Sequence, residues 1–520
     1  MSDDKRYYIT TPIYYVNDLP HIGHAYTTLA CDVTARFKRL DGYDVFFLTG
    51  TDEHGQKVEQ AAKAAGISPQ ALADKNSERF RTLARDMGYS HDDFVRTTEP
   101  RHVEAVQALW RELIKRDEIY LGSYAGWYSV RDEAFFSESE LIKGEGGKLL
   151  APTGTGAEVE WVEEPSYFFR LSAWGEKLLA FYDSHPDFIA PESRRNEVIS
   201  FVKGGLMDLS VSRTSFKWGV PVPDDPDHVM YVWIDALTNY MTGVGYPDTE
   251  CDSFRKFWPA DLHMVGKDIL RFHAVYWPAF LLAAGVEPPK RVFAHGWWTN
   301  EGQKISKSLG NVIDPYDLVE RYGRDQMRYF LLREVPFGND GDFSHTAMIQ
   351  RTNADLANGI GNLAQRTLTL INRNCDGAVP SPGSLEDEDI ALIAGAGTEL
   401  LETLRADLGR QEFHKGLIAL MAAVSNADAY ITRHEPWALK KTDPAAMARV
   451  LYVLAETVRN LALAMQPFTP DAAAKLLDQL AVPEDARGFS HVGKAGALVP
   501  GTALPKPQGV FPRLQDPAAN

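Results

Sequence analysis

Arg6-Tyr-Tyr-Ile-Thr-Thr-Pro-Ile-Tyr-Tyr-Val16 opens the stretch that decides the fold. Its β-branched and aromatic side chains read as a buried strand. Asn17, Asp18 and Pro20 then break the chain. Ala25, Leu29, Val33, Phe37 and Leu40 recur at three- and four-residue spacing, which predicts an amphipathic helix closed by Asp41-Gly42. Val45-Phe-Phe-Leu48 is a short apolar run bounded by turns, a second strand. Strand, helix and strand within about 45 residues make a βαβ unit, so the sheet is parallel and the class is α/β.

Working outward, Ser68-Pro69 predicts a helix start, with Leu72, Phe80, Leu83 and Met87 as the buried stripe. Residues 120–215 change character. Glycines gather at Gly144 to Gly147 and Gly154 to Gly156, aromatics cluster, and the strands look short, as in an insertion between two halves of the α/β domain. The α/β pattern returns at Leu262-His-Met-Val265, then a helix through Trp277 and Phe280, then the strand-like Arg291-Val-Phe-Ala294. From about 345 the pattern is helical, with Ala/Leu-rich stretches at 388–408, 411–432 and 444–465. The Pro- and Gly-rich C-terminal end lacks a helical period and is expected to run extended over the surface.

At 520 residues the chain is too long for one core, so two or three domains are expected. No apolar run approaches a membrane span, and the short polar N-terminus lacks the layout of a signal peptide. Three cysteines, far apart, write neither a disulfide framework nor a zinc knuckle, and suggest a reducing cytoplasm. A net charge of −17 argues against generic nucleic-acid binding; any RNA contact must rest on local basic patches.

Two motifs carry chemistry. His21-Ile22-Gly23-His24 follows the first strand and opens the first helix. A helix N-terminus offers N–H groups and a positive dipole end to an anion. Gly23 permits close approach of a ligand, and two imidazoles can donate to phosphate oxygens as charge builds. Lys304-Ile-Ser-Lys-Ser308, between Gly302 and Gly310, is a loop that can close over a triphosphate. Alone, the first could be two incidental histidines and the second a solvated lysine run. Together, in this order, each beside an apolar strand, they resemble the two signature motifs of class I aminoacyl-tRNA synthetases. The second has Ile305 where methionine is usual, a conservative swap.

Within that class the surrounding residues resemble the methionyl-tRNA synthetase family. The likeness rests on Ile9-Thr-Thr-Pro-Ile-Tyr-Tyr-Val-Asn17, Thr49-Gly-Thr-Asp-Glu-His-Gly55, Tyr231-Val-Trp-Ile-Asp-Ala236 and Val265-Gly-Lys-Asp-Ile-Leu-Arg-Phe-His273. It runs from about residue 5 to 470. Methionine is unbranched, with a thioether that accepts only weakly, so a selective pocket should be aromatic with one or two weak donors. Trp233, Leu237, Tyr240 and His273 have that composition, and the first three can share a helical face. The resemblance implies that Ile13 and Trp233 wall the side chain, with Tyr240 and His273 near the sulfur. It implies Asp52 for the α-ammonium, Asp268 for the pocket's shape, and Arg213 in support of activation. His21, Gly23, His24, Lys304, Ser306 and Lys307 would bind ATP, with His21, His24, Lys304 and Lys307 stabilising the charge that develops.

The organisation then expected is a Rossmann-like catalytic domain in two halves, 1–119 and 216–300, around a connective insertion, 120–215. A loop and stem-contact region, 301–350, precedes an all-α anticodon-binding bundle, 351–485, and an extended tail, 486–520. In the insertion, Gly126-Trp-Tyr-Ser-Val-Arg-Asp-Glu133 and Glu164-Pro-Ser-Tyr-Phe-Phe-Arg170 resemble segments where many members hold zinc through cysteine pairs. Ser129 and Asp132 stand in place of one pair, so no structural zinc is expected. In the bundle, the resemblance assigns anticodon recognition to Asn362, Arg366 and Trp437; polar and aromatic side chains there can read or stack on unstacked bases. The implied reactants are L-methionine, Mg2+-bound ATP and tRNA(Met), for a cytoplasmic monomer that makes no membrane contact. The rivals are another class I synthetase such as the cysteine enzyme, a small-molecule adenylyltransferase, and a non-enzymatic RNA-binding protein. Against them stand the absence of cysteine beside the pocket residues, the long helical C-terminal region, and the acidic charge with intact nucleotide motifs.

Overall fold

The structure, a computed structural model, describes residues 5–17, 19–132, 134–136, 138–153, 156–304 and 312–515. The chain divides into two compact units. One comprises Tyr7–Pro20 and Phe46–Ala294; the other comprises Met1–Arg6, His21–Val45 and His295–Asn520.

The first unit is built on a seven-stranded sheet. Its order is Ile189–Ala190, Val292–His295, Leu262–Gly266, Arg6–Thr10, Asp44–Asp52 and Tyr14–Tyr15, with Asp93–Arg96 also paired to Asp44–Asp52. Ile9 lies opposite Leu262, Tyr14 opposite Thr51, Leu48 opposite Asp93 and Ile189 opposite Val292, all in parallel register. The α/β class read from the first βαβ unit is the one observed.

Two strands differ from the sequence reading. The expected strand over 6–16 is split into Arg6–Thr10 and Tyr14–Tyr15. Pro12 lacks an N–H and cannot continue a ladder. The second strand does not stop at Leu48 but runs to Asp52. Gly50 makes the extension possible, because a Cβ there would sit 2.0 Å from the Val95 carbonyl oxygen. A helix over Gln56–Ala65 buries only Val58 and Ala62, too thin a stripe to announce itself.

Within the same unit, the region expected to be an insertion contributes a four-stranded sheet in the order Leu209–Ser210, Glu160–Phe169, Ile119–Ser129 and Ala134–Phe136. Its long antiparallel ladder runs from Ile119 opposite Phe169 to Tyr128 opposite Glu160. At the turn that follows, Ser129 Oγ donates to Asp132 at 2.7 Å and accepts from the Asp132 N–H at 3.1 Å. Among the described residues, no three His, Cys, Asp or Glu side chains gather as metal ligands would.

The second unit is helical. The expected stretch at 388–408 is two helices, Asp387–Ala396 and Thr398–Gly409, parted at Gly397, where a Cβ would meet the Ile393 carbonyl oxygen at 2.9 Å. Phe413–His434 and Pro444–Met465 follow. The first helix, Ile22–Leu40, belongs to this unit, across the boundaries drawn from sequence. Its buried Asp32 accepts from Arg328 at 2.7 Å, and Arg328 also donates to the carbonyls of Pro467 and Phe468. Asp41 pairs with Arg405, and Phe37 packs on Phe489 with ring centres 4.9 Å apart. The tail is pinned by backbone bonds from Val379 to Thr502 and by Asn353, whose amide both donates to and accepts from Leu514. No helix among the described residues is long and apolar enough to cross a membrane.

Candidate active site

The helix start at 21–24 is closed by its own histidines. His21 is the N-cap, with extended backbone, and its Nδ1 accepts from the Gly23 N–H at 3.1 Å. His24 Nδ1 accepts from the His21 N–H at 3.1 Å, completing a reciprocal cap. A backbone N–H only donates, so the proton of each neutral ring sits on Nε2. The ring centres are 3.9 Å apart. Burial, and then the neighbouring His21, holds His24 well below the usual histidine range, which keeps it neutral. The tautomer is the one that can donate from Nε2 to a phosphate oxygen.

The flanks of the lysine loop are set in the same unit. Lys304 closes a two-stranded turn, lying opposite Thr299. On the far side, the Ile313 carbonyl accepts from the Ile22 N–H at 3.2 Å, so the loop's return joins the first turn of the histidine helix. Ser306 and Lys307 lie outside the described residues.

The residues expected at the amino-acid pocket belong to the other unit. Trp233, Leu237 and Tyr240 lie on one buried helix, Val232–Thr242. Trp233 stacks on Phe272 with ring centres 3.7 Å apart and planes 8° apart. Its Nε1 is a buried donor with no hydrogen-bond partner among the described residues. Phe272 and His273 sit on a widened π-helical turn, Phe272–Tyr276. His273 Nδ1 donates to the Ile269 carbonyl at 2.9 Å, because a carbonyl only accepts. Burial brings His273 down to about 4, despite that bond. The ring is thus neutral, Nε2 is the acceptor, and the Tyr240 hydroxyl donates to it at 2.6 Å. On its other face Tyr240 stacks on His263 at 4.0 Å, and Trp277 Nε1 donates to His263 Nε2 at 3.3 Å. Ile13 packs, half-buried, against the same core. Asp52 is buried at the end of its strand. Arg213 is buried too, donating to Ser210 Oγ and the Ser212 carbonyl, 4.5 Å from the centre of the Tyr231 ring. Asp268 is exposed on the short turn Lys267–Ile269. The structure thus draws Trp233, Tyr240 and His273 into one cluster, and leaves Asp268 on the surface.

Comparison with known proteins decides the family. The family model described as tRNA synthetases class I (M) matches residues 7–160 and 148–368. A second, the anticodon binding domain of methionyl tRNA ligase, matches residues 379–520. The chain belongs to the class I methionyl-tRNA synthetase family. It is 60% identical to the methionine–tRNA ligase of Mesorhizobium japonicum and 59% identical to that of Rhizobium meliloti, in each case over all of both chains. A solved structure of Mycobacterium tuberculosis methionyl-tRNA synthetase in complex with methionyl-adenylate is 56% identical, with a TM-score of 0.95 over 98% of this chain and 100% of that one. The free-state structure of the same enzyme is matched at a TM-score of 0.89.

The helical region holds Asn362, Arg366 and Trp437, the residues expected at the anticodon. Asn362 opens the helix Asn362–Asn374, and Arg366 lies one turn further on. The Arg366 guanidinium stands 5.8 Å from the centre of the Trp437 ring and 3.8 Å from Asp428. Trp437 is 45% exposed at the start of Pro436–Thr442. Two residues 71 positions apart in sequence thus form one half-open corner.

Sequence reading missed a buried set that shares segments with the pocket. His54 and His102 each hold one oxygen of Asp235, both at 2.7 Å. Glu53, fully buried, accepts from Arg96 at 2.7 and 2.9 Å. His54 and Asp235 stand inside motifs used above, but nothing local announces a partner 181 positions away.

Proposed function

We propose that the chain attaches L-methionine to tRNA(Met) in two steps. A methionine carboxylate oxygen attacks the α-phosphorus of Mg2+-bound ATP. The bond from that phosphorus to the bridging β-phosphate oxygen breaks, giving methionyl-adenylate and diphosphate. A terminal ribose hydroxyl of the tRNA then attacks the carbonyl carbon, loses its proton, and AMP leaves. What carries the reading is the full-length likeness to a synthetase solved with methionyl-adenylate.

In this reading His21, Gly23 and His24 receive the triphosphate at the helix start, where N–H groups and neutral Nε2–H donors favour an anion. Lys304, Ser306 and Lys307 close over it and offset the charge that moves onto diphosphate. Ile13, Trp233 and Leu237 enclose the methionine side chain, Tyr240 and His273 lie towards its sulfur, and Asp52 takes the α-ammonium. Asp268 shapes the pocket mouth and Arg213 supports activation. Asn362, Arg366 and Trp437 receive the CAU anticodon, and the enzyme works as a cytoplasmic monomer without structural zinc. The test is ATP–diphosphate exchange with each of the twenty amino acids. Methionine should stand far above the rest; background exchange with methionine would overturn the assignment.

A further inference from the structure

The proposed methionine site has two ends on two elements. Asp52 ends the strand Asp44–Asp52, while Trp233, Leu237 and Tyr240 ride on the helix Val232–Thr242. The same helix carries a buried carboxylate, Asp235, that the two-step reaction does not use. Asp235 Oδ2 accepts from His54 Nδ1–H and Oδ1 from His102 Nε2–H, each at 2.7 Å. Asp235 and His102 are fully buried, and His54 nearly so.

The connections reach further. His54 is two residues past Asp52, on a segment gripped from its other side by Trp218. The Trp218 Nε1–H donates to the Glu53 carbonyl at 2.6 Å, and the Trp218 carbonyl accepts from the Gly55 N–H at 3.0 Å. The second imidazole, His102, comes from a third element, the helix Pro100–Lys115. Its Nδ1 lies 3.1 Å from Thr242 Oγ1, so one ring touches the pocket helix at two points two turns apart. Burial alone would raise the Asp235 carboxyl, but the two imidazoles reverse this and hold it at about 2, as the anion.

We propose that Asp235 is a positioning residue for methionine. Resting on the function proposed above, it locks the strand end that holds the α-ammonium to the helix that holds the side chain. The separation of the two ends is then set by one carboxylate with both oxygens engaged, and moving it off either imidazole would leave a buried polar group unpaired. The hydrogen bonds join the strand end and the helix proposed for methionine, so loss of the clamp should fall on methionine.

The test is Asp235→Asn in methionine-dependent exchange, after the wild-type chain has shown that exchange. The amide keeps the volume but offers one acceptor where two donors point. The expected result is a rise of about tenfold in the KM for methionine, with kcat and the KM for ATP within about twofold. Two conservative substitutions sharpen it. His54→Asn keeps an N–H at the Nδ1 position and His102→Gln keeps one at the Nε2 position; both should hold the wild-type KM, whereas His54→Ala and His102→Ala should raise it. A folded Asp235→Asn chain with unchanged methionine KM, or with both KM values rising together, would overturn the proposal. So would equal KM values for the alanine and conservative variants, which decide the matter even if Asp235→Asn fails to fold. Absence of exchange in the wild-type chain would instead overturn the proposed function.

Discussion

The proposed amino-acid pocket and the proposed anticodon corner are built for recognition in opposite ways. In the pocket, Tyr240, His263 and His273 are buried, the tautomers of both histidines are fixed, and the Tyr240 ring stacks on His263 at 4.0 Å and lies tilted 5.7 Å from His273. At the corner, Arg366 stands 3.8 Å from Asp428, and the Trp437 ring is nearly half exposed. A small ligand with one weak acceptor offers little binding energy to reshape its site, so the site must be made in advance. A large RNA brings bases that can displace a loose ion pair and stack on an open ring. The difference predicts that damage to the two regions separates in two assays, adenylate formation and tRNA charging.

The largest effect expected is on the pocket side and comes from pH. His273 is brought to about 4 by burial, and His263 is also lowered by burial. A histidine whose folded value lies below its unfolded value of about 6.5 stabilises the fold fully above that pH. That stability is lost as pH falls from about 6.5 towards 4, His273 alone contributing on the order of 3 kcal/mol. Denaturant melts from pH 7.5 to 4.5 should show the loss, with a shallower slope in His273→Gln; parallel slopes would sink the assignment of a buried neutral ring.

Next comes the corner. Trp437→Ala should lower charging of tRNA(Met) by roughly 10- to 100-fold, the worth of a stacked base, and leave exchange within about twofold. Equal loss in both assays would erase the proposed separation. Tyr240→Phe strands the buried Nε2 of His273 without its donor and should raise the KM for methionine by about tenfold in both assays. A tenfold loss confined to charging would break the comparison from the other side. The smallest effect expected is Arg366→Lys, about threefold in charging, because a point charge replaces the planar guanidinium beside Trp437.

The same contrast explains what was legible in sequence. The helix start could be read because it is local: His21, Gly23 and His24 satisfy one another within four residues. The pocket's composition could also be read, since Trp233, Leu237 and Tyr240 lie at helical spacing. Its wiring could not, because Phe272, His263 and His273 arrive from other segments, and which ring nitrogen carries the proton depends on a carbonyl at Ile269 or an indole at Trp277. The association of the first helix with the helical region was equally hidden. It rests on Asp32 and Arg328, 296 positions apart, each of which alone reads as an ordinary surface charge. Pro12 was visible in the sequence, yet the dense β-branched and aromatic run around it outweighed its missing N–H in the strand reading.

The division of labour between pocket and corner is tested most directly by changing the RNA instead of the protein. Two transcripts of tRNA(Met), one with CAU and one with that anticodon replaced, should be charged by the wild-type chain while methionine-dependent exchange is followed in parallel. Charging of the altered transcript should fall at least about tenfold, with exchange unchanged. Equal charging of both transcripts would contradict the account.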